Sequence, residues 1–332
     1  MKVYLNGEKN QYKANLHCHT VFSDGKLTPE EIKESYLKRG YSAVAFTDHE
    51  HIIDQSHLTD EGFVAITGCE LAIKEFPEGS TLTHPHMKAT HLCLYSKDPH
   101  NTLTPCYNSV YDHFITPPAE GKVRGDGEYE RRYGAEGINE MVKRIREQGF
   151  LVCYNHPTWS LEDATDYLGY EGLDFVEILN TGALIDGLND DEAVFAQMLR
   201  HGKKIFCTGA DDNHNRARPD SPLYDSFGAH VMLLADSLTY ENLISALEKG
   251  DFYTSEGPEI YSISSEGDAV TVKCSPAEKI TVLSLGRRSK TVYAEDGEPL
   301  TEVTVRLAAP DGFRIRVEDK AGKRAFTQFF RP

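Results

Sequence analysis

Three pairs of histidines stand two residues apart in this chain, His17/His19, His49/His51 and His84/His86, and the first pair has other candidate ligands close behind it. In an extended strand residues two apart point to the same side, so the rings of His17 and His19 can reach one ion. Asp24 follows in Ser23-Asp24-Gly25, His49 in Thr47-Asp48-His49 and Glu70 in Gly68-Cys69-Glu70-Leu71. His91 lies inside the apolar run Thr90-His91-Leu92-Cys93-Leu94-Tyr95, which selects it over the nearby His84 and His86. His156 comes next in Asn155-His156-Pro157, and Asp212 and His214 in Asp211-Asp212-Asn213-His214. These residues exceed what one tetrahedral zinc requires. They suit a cofactor of two or three divalent metals sharing carboxylate bridges, and the mixed imidazole and carboxylate set does not choose between zinc, manganese and iron. Such a cluster polarises a phosphoryl oxygen and generates hydroxide from water at neutral pH.

Other residues gather around these nine. Asp48 and Asp211 are the catalytic candidates beside the ligands, expected as acceptors that orient ligand imidazoles. Asn180 and Trp159 are candidates to line a substrate pocket, with core or rim packing the plainer alternative. Arg216 and Arg218 follow His214 closely enough to lean over the metals, where a guanidinium fork suits phosphate oxygens. Arg124, Arg131 and Arg132 could close over substrate in the same way, although solvated surface charge is the favoured reading for them. No Gly-rich phosphate loop or Ser-His-Asp order competes with the histidine site.

Something must bring ligands so far apart in sequence to one point. Thr28-Pro29-Glu30-Glu31 predicts a helix start, with Thr28 as N-cap and Glu31 closing a capping box. The apolar run Ala43–Thr47 then reads as a strand ending on Asp48-His49. The alternation recurs through strands at Phe63–Thr67, Thr90–Tyr95, Phe150–Tyr154, Phe175–Leu179 and Ile205–Thr208, with helices at Ile138–Gln148, about Asp191–His201 and Tyr240–Lys249. Repeated helix–strand units predict an α/β fold with a mainly parallel sheet, either a closed or nearly closed barrel or an open doubly wound sheet. In a barrel the carboxyl ends of the strands converge on one face, which would bring the ligands together. Residues 1–258 are expected to form this unit, interrupted by a proline- and glycine-rich insert at about 96–136 that reads as a lid or a disordered segment. Residues 259–332, with alternating patterns such as Ala269–Lys273 and Val303–Leu307, predict a small all-β domain.

Taken together, Asn15-Leu16-His17-Cys18-His19-Thr20, Ser23-Asp24-Gly25, Thr47-Asp48-His49, Glu70, Asn155-His156-Pro157 and Asp212-Asn213-His214 resemble the PHP (polymerase and histidinol phosphatase) family, over roughly residues 12–258. The resemblance implies a distorted seven-stranded (β/α)7 TIM-like barrel with up to three metals and phosphoesterase activity. It also implies that His17, His19, Glu70 and Asp212 hold one metal, that Glu70 bridges to a second held by His91 and His156, and that Asp24, His49 and His214 hold the third. The stretch around Lys249–Pro258 is similar to the branch that includes carbamate-insecticide hydrolases. Asp211 stands where a small residue is usual, so the ligand role falls to Asp212 by its spacing to His214.

The leading expectation is therefore a metal-dependent hydrolase, a phosphoesterase that cleaves a small phosphomonoester or nucleotide through a metal-bridging hydroxide. An ester or carbamate hydrolase on the same cluster and a non-catalytic binding module are the alternatives. The net charge of −17 favours a small phosphorylated partner and disfavours a nucleic-acid polymer. With 39% hydrophobic and 26% charged residues, and no run of ~20 apolar residues, the chain reads as globular, with no membrane partner. Its opening residues lack a secretory pattern, so a cytoplasmic location is expected. The seven cysteines form no C-x-x-C pair and read as reduced, buried thiols.

Overall fold

The computed structural model describes residues 1–76, 86–117, 119, 121, 123–307 and 311–331. The fold is α/β, with many strands and few helices. The first helix, Pro29–Leu37, begins as its sequence dictates. Thr28 accepts from the Glu31 amide while the Glu31 carboxylate accepts from the Thr28 amide at 2.8 Å, and Ile32 and Tyr36 are buried. Such a cap stabilises a helix by about 1 kcal/mol.

The helix delivers the chain to the strand Ala43–Phe46, which lies between Asn10–Asn15 and Val64–Lys74, parallel to both. A second parallel set is formed by Phe150–Tyr154, Phe175–Asn180 and Phe206–Ala210. Apart from Asn10–Asn15, these strands are buried almost without interruption, the pattern of a sheet covered on both faces.

The strand Ala89–Ser96 corrects the expectation of a mainly parallel arrangement. It joins the two sets by running antiparallel to Val64–Lys74 on one side and to Phe150–Tyr154 on the other. The eleven-residue strand Val64–Lys74 runs on past Glu70, and the Glu75 amide donates to the Lys88 carbonyl at 2.9 Å. The ladder thus extends one pair beyond the two strands. His84 lies outside the described residues.

Beyond Asn10–Asn15 the sheet continues antiparallel through His230–Ala235 and Phe252–Ser255 to Arg324–Thr327, Arg314–Glu318, Lys279–Leu283 and Ser289–Tyr293. At the far edge, Phe206–Ala210 meets the Gln328 side chain. Its amide accepts from the Cys207 nitrogen at 2.7 Å and donates to the Cys207 carbonyl at 2.9 Å, reproducing a pair of ladder bonds. From Ile260 onward every regular element among the described residues is a strand. A separate four-stranded sheet joins Ile260–Glu266, Ala269–Ala277 and Leu300–Arg306 to the first strand of the chain, Lys2–Leu5. All seven cysteines are free and buried. No helix among the described residues is long and apolar enough to cross a membrane.

Candidate metal centre

Strand ends supply the cluster. His17 and His19 leave Asn10–Asn15 in an extended segment held by the Asp212 amide donating to the His17 carbonyl and the His19 amide donating to the Asn213 carbonyl. Their Nε2 atoms lie 3.2 Å apart, as the two-residue spacing predicts. His156 and Asp212 turn out of their strands with φ of 27° and 53°, a left-handed backbone that non-glycine residues adopt at a cost of roughly 1–3 kcal/mol. His91 arrives differently. It is the third residue of the antiparallel strand, so the amino end of that strand meets the carboxyl ends of its neighbours, and His91 sits diagonally across the ladder from Glu70.

Glu70 is the hub, buried to 1%. Its Oε1 lies 3.1 Å from His91 Nδ1, 3.3 Å from His17 Nε2 and 3.4 Å from His156 Nε2. Its Oε2 lies 3.1 Å from His49 Nδ1 and 3.4 Å from His19 Nε2. Asp212 Oδ1 is 3.0 Å from His19 Nε2 and 3.2 Å from His17 Nε2. Asp24 Oδ1 is 3.2 Å from His214 Nε2 and 3.8 Å from His49 Nε2.

The structure thus brings all nine expected residues together, and among the described residues three groups have ligand atoms within 4.8 Å of one another. They are His19/Asp24/His49/His214, His17/Glu70/His156 and His17/His19/Asp212. Two polar atoms at this convergence, Asp24 Oδ1 and His49 Nδ1, are buried without a hydrogen-bond partner, although acidic or imidazole atoms lie within 3.2 Å. Their approach is close but not directed as a hydrogen bond requires. Ligand atoms packed this closely and left without a directed hydrogen bond fit cations between them.

Electrostatics agree. Burial alone would raise Glu70, but His17, His91 and His49 hold it well below the carboxylate range, and Asp212 is held low against burial by His17 and His19. Burial pulls His49 down to about 3, whereas the Asp24 carboxylate overcomes burial and carries His214 up to about 9. Against burial, Asp212 likewise raises His17, and Glu70 and Asp212 raise His156, so the acids of this surface draw in positive charge of the kind metal ions would supply.

Several neighbours depart from expectation. Asp48 does not meet a ligand imidazole; its carboxylate accepts from the amides and hydroxyls of Thr20 and Ser23, and the Ser23 hydroxyl, 3.4 Å from His19 Nδ1, links it to the cluster. Asp211 is saturated by the Tyr36 and Thr181 hydroxyls and the amides of Phe227, Gly228 and Ala229. It anchors the chain before the ligands. Asn180 caps the helix Thr181–Ile185 and donates to Asp212 Oδ2 at 3.2 Å. Arg216 reaches the cavity but pairs with Asp24, while Arg218 is 85% exposed and pairs with Asp220, outside the cavity lining. A phosphate clamp by Arg218 is not what the fold presents.

The insert is held fast where it is described. The Arg131 side chain is fully buried, clasping both Glu50 oxygens at 2.8 and 2.6 Å and donating to the Ala72 and Cys106 carbonyls, whereas Arg124 and Arg132 bond Thr102 and Glu140 at the surface. Phe114 from the same insert lies on His49, with ring centroids 4.7 Å apart. Trp159, 37% exposed, lies 4.9 Å from His156 and 5.1 Å from His91. These two aromatics flank a cavity of about 640 Å³ that opens over the cluster.

Sequence reading missed Glu177. Buried to 2%, it lies 3.3 Å from His17 Nδ1 and accepts from the His156 amide and Asn180. An acid inside the wholly buried run Phe175–Asn180 was the signal available, because such a residue has to be paired.

The PHP domain family model matches residues 15–141. A 5'-3' exoribonuclease of Haemophilus influenzae is 33% identical over 88 residues, 23% of this chain and 32% of that protein. The DNA polymerase/3'-5' exonuclease PolX of Bacillus subtilis is 43% identical over 42 residues, 13% of this chain and 7% of that one. The chain thus spans a third or less of the curated relatives it matches. Among solved structures, a two-domain Bacteroides vulgatus protein containing a predicted PHP-like metal-dependent phosphoesterase aligns over 99% of this chain and 98% of its own, with 14% identity and a TM-score of 0.46.

Proposed function

We propose that this chain, which carries a PHP domain at residues 15–141, is a metal-dependent phosphoesterase acting on a small phosphomonoester or nucleotide. The observation that carries the reading is Glu70, whose two oxygens divide five imidazoles between them. A carboxylate so placed is built to bridge ions. His17, His19 and Asp212, then His91 and His156 across Glu70, and Asp24, His49 and His214 would hold two or three divalent metals. When bound, such ions polarise a phosphoryl oxygen and lower the pKa of water.

The chain's own groups prepare the ligands. Glu177 accepts from His17 Nδ1 and so leaves Nε2 bare toward the cluster. Asn180 on Asp212 Oδ2 and Asn155 on Glu70 Oε1 at 2.7 Å fix carboxylate orientation. Phe114 and Trp159 offer flat apolar surface beside the cluster, which suits a substrate with a planar group attached to its phosphate and helps exclude water. In the same proposal the central strands form a distorted (β/α)7 TIM-like barrel closed through Gln328, and residues 259–332 form a small β-rich domain.

A second reading, an ester or carbamate hydrolase on the same cluster, is favoured by one observation. Arg216 is engaged by Asp24, and Arg218 faces solvent, so neither guanidinium stands free for a phosphate. A panel of phosphomonoesters and nucleotides set against carboxyl esters and carbamates, with metal content measured by elemental analysis, tests both. Turnover confined to the phosphorylated compounds supports the proposal, and turnover confined to the neutral esters overturns it.

A further inference from the structure

Asp24 uses its two oxygens differently. Oδ2 pairs with the Arg216 guanidinium, while Oδ1 faces His214, His49 and His19 and has no hydrogen-bond partner. Asp24 also belongs to the most open of the three ligand groups. Its side chain is 32% exposed and that of His214 19%, against 1% for Glu70 and 0% for His17. An open carboxylate would sample several rotamers, and each one that turns Oδ1 away removes a ligand from the outer group.

We propose that Arg216 is a positioning residue that locks Asp24 with Oδ1 turned toward the imidazoles, and so sets how tightly the outer group His19/Asp24/His49/His214 retains its ion. Occupying Oδ2 leaves one oxygen for the ion, which suits a small mixed nitrogen and oxygen site better than the many-oxygen shell of calcium. The guanidinium also repels a cation held nearby. With 60% of its side chain in solvent, Arg216 is well screened, and the ordering of Asp24 outweighs that repulsion. Arg216 therefore acts through Asp24 and not as a clamp on substrate phosphate. This inference rests on the metal-binding reading above and goes beyond it by making the outer ion separable from the others.

Full-length wild type and the variants Arg216→Ala, Arg216→Lys and His214→Ala are to be loaded with zinc, dialysed against a weak chelator and assayed for zinc by elemental analysis. The expected result is that Arg216→Ala and His214→Ala each lose about one equivalent that wild type keeps, with Arg216→Lys between them, and that zinc affinity at the outer group falls ~10–100-fold in Arg216→Ala. Arg216 is exposed, so thermal unfolding of the apo forms should coincide, which separates lost positioning from lost fold. Wild-type zinc content in Arg216→Ala, with or without a raised KM for a phosphomonoester, overturns this inference and leaves the metal-binding reading intact. Absence of zinc from loaded wild type overturns both.

Discussion

Glu70, His17 and His156 form a floor with 3% or less of each side chain exposed, whereas Asp24 and His214 form a rim that keeps 32% and 19% of theirs in solvent. The floor is set by backbone. Its residues sit on or directly after strands, and their partners Glu177, Asn155 and Asn180 are themselves fixed by the sheet. The rim depends on one loop reaching across to another, with Arg216 and Asp24 separated by 192 residues. Affinity and permanence should therefore be concentrated in the floor, and exchange in the rim.

The sharpest way to break this contrast is at the hub. Glu70→Gln should lower turnover ~10³-fold or more, about 4 kcal/mol, and strip metal from the whole cluster, because five imidazoles face that carboxylate. Turnover and elemental analysis check it; loss of only the outer ion would show that the floor does not depend on Glu70.

Next comes the support beneath the floor. Arg131→Met leaves Glu50 buried without its cation, and breaking such a pair from one side costs about 3–5 kcal/mol of stability. Denaturant unfolding at neutral pH checks it, and a change below about 1 kcal/mol would mean that water reaches Glu50.

A milder change should come from Glu177→Gln. Replacing the charged acceptor beside His17 Nδ1 by a neutral amide oxygen should weaken metal binding ~10–100-fold with little change in fold. Competition against a chelator of known affinity measures it, and unchanged affinity would show that His17 needs no charged acceptor.

The smallest effect is expected outside both regions. Arg218→Ala should change stability by less than about 0.5 kcal/mol and leave catalytic efficiency unchanged, because its exposed pair with Asp220 stands clear of the cavity. A tenfold fall in kcat/KM would return Arg218 to the substrate.

How much of this was legible follows from the range of each signal. His17 and His19 declare themselves through local spacing, and the capping box of the first helix, the Phe150–Tyr154 strand and the Tyr240–Lys249 helix are local patterns that folding does not alter. The antiparallel course of Ala89–Ser96 was hidden, because a short apolar run looks the same in either direction. Arg131 read as surface charge because its partner Glu50 is 81 residues away, and nothing local marks a cation for burial. Asp48 and Asp211 were placed beside the cluster by adjacency, but a residue next to a ligand in an extended chain points the other way, and each carboxylate turned to backbone amides instead.

The bond pair between Gln328 and Cys207 bears on any attempt to study the ligand-bearing part alone. A protein cut near residue 258 would lose the side chain that covers the Phe206–Ala210 edge and also the Arg324–Thr327 strand that pairs with Phe252–Ser255. Two sheet edges would lie open at once, and Met232, Leu234 and Tyr253, now packed with the later strands, would face water. Exposed edges and apolar surface are what drive self-association. Shortened versions of this chain should therefore precipitate or form large assemblies even with every histidine in place, and their inactivity would report on solubility rather than on chemistry.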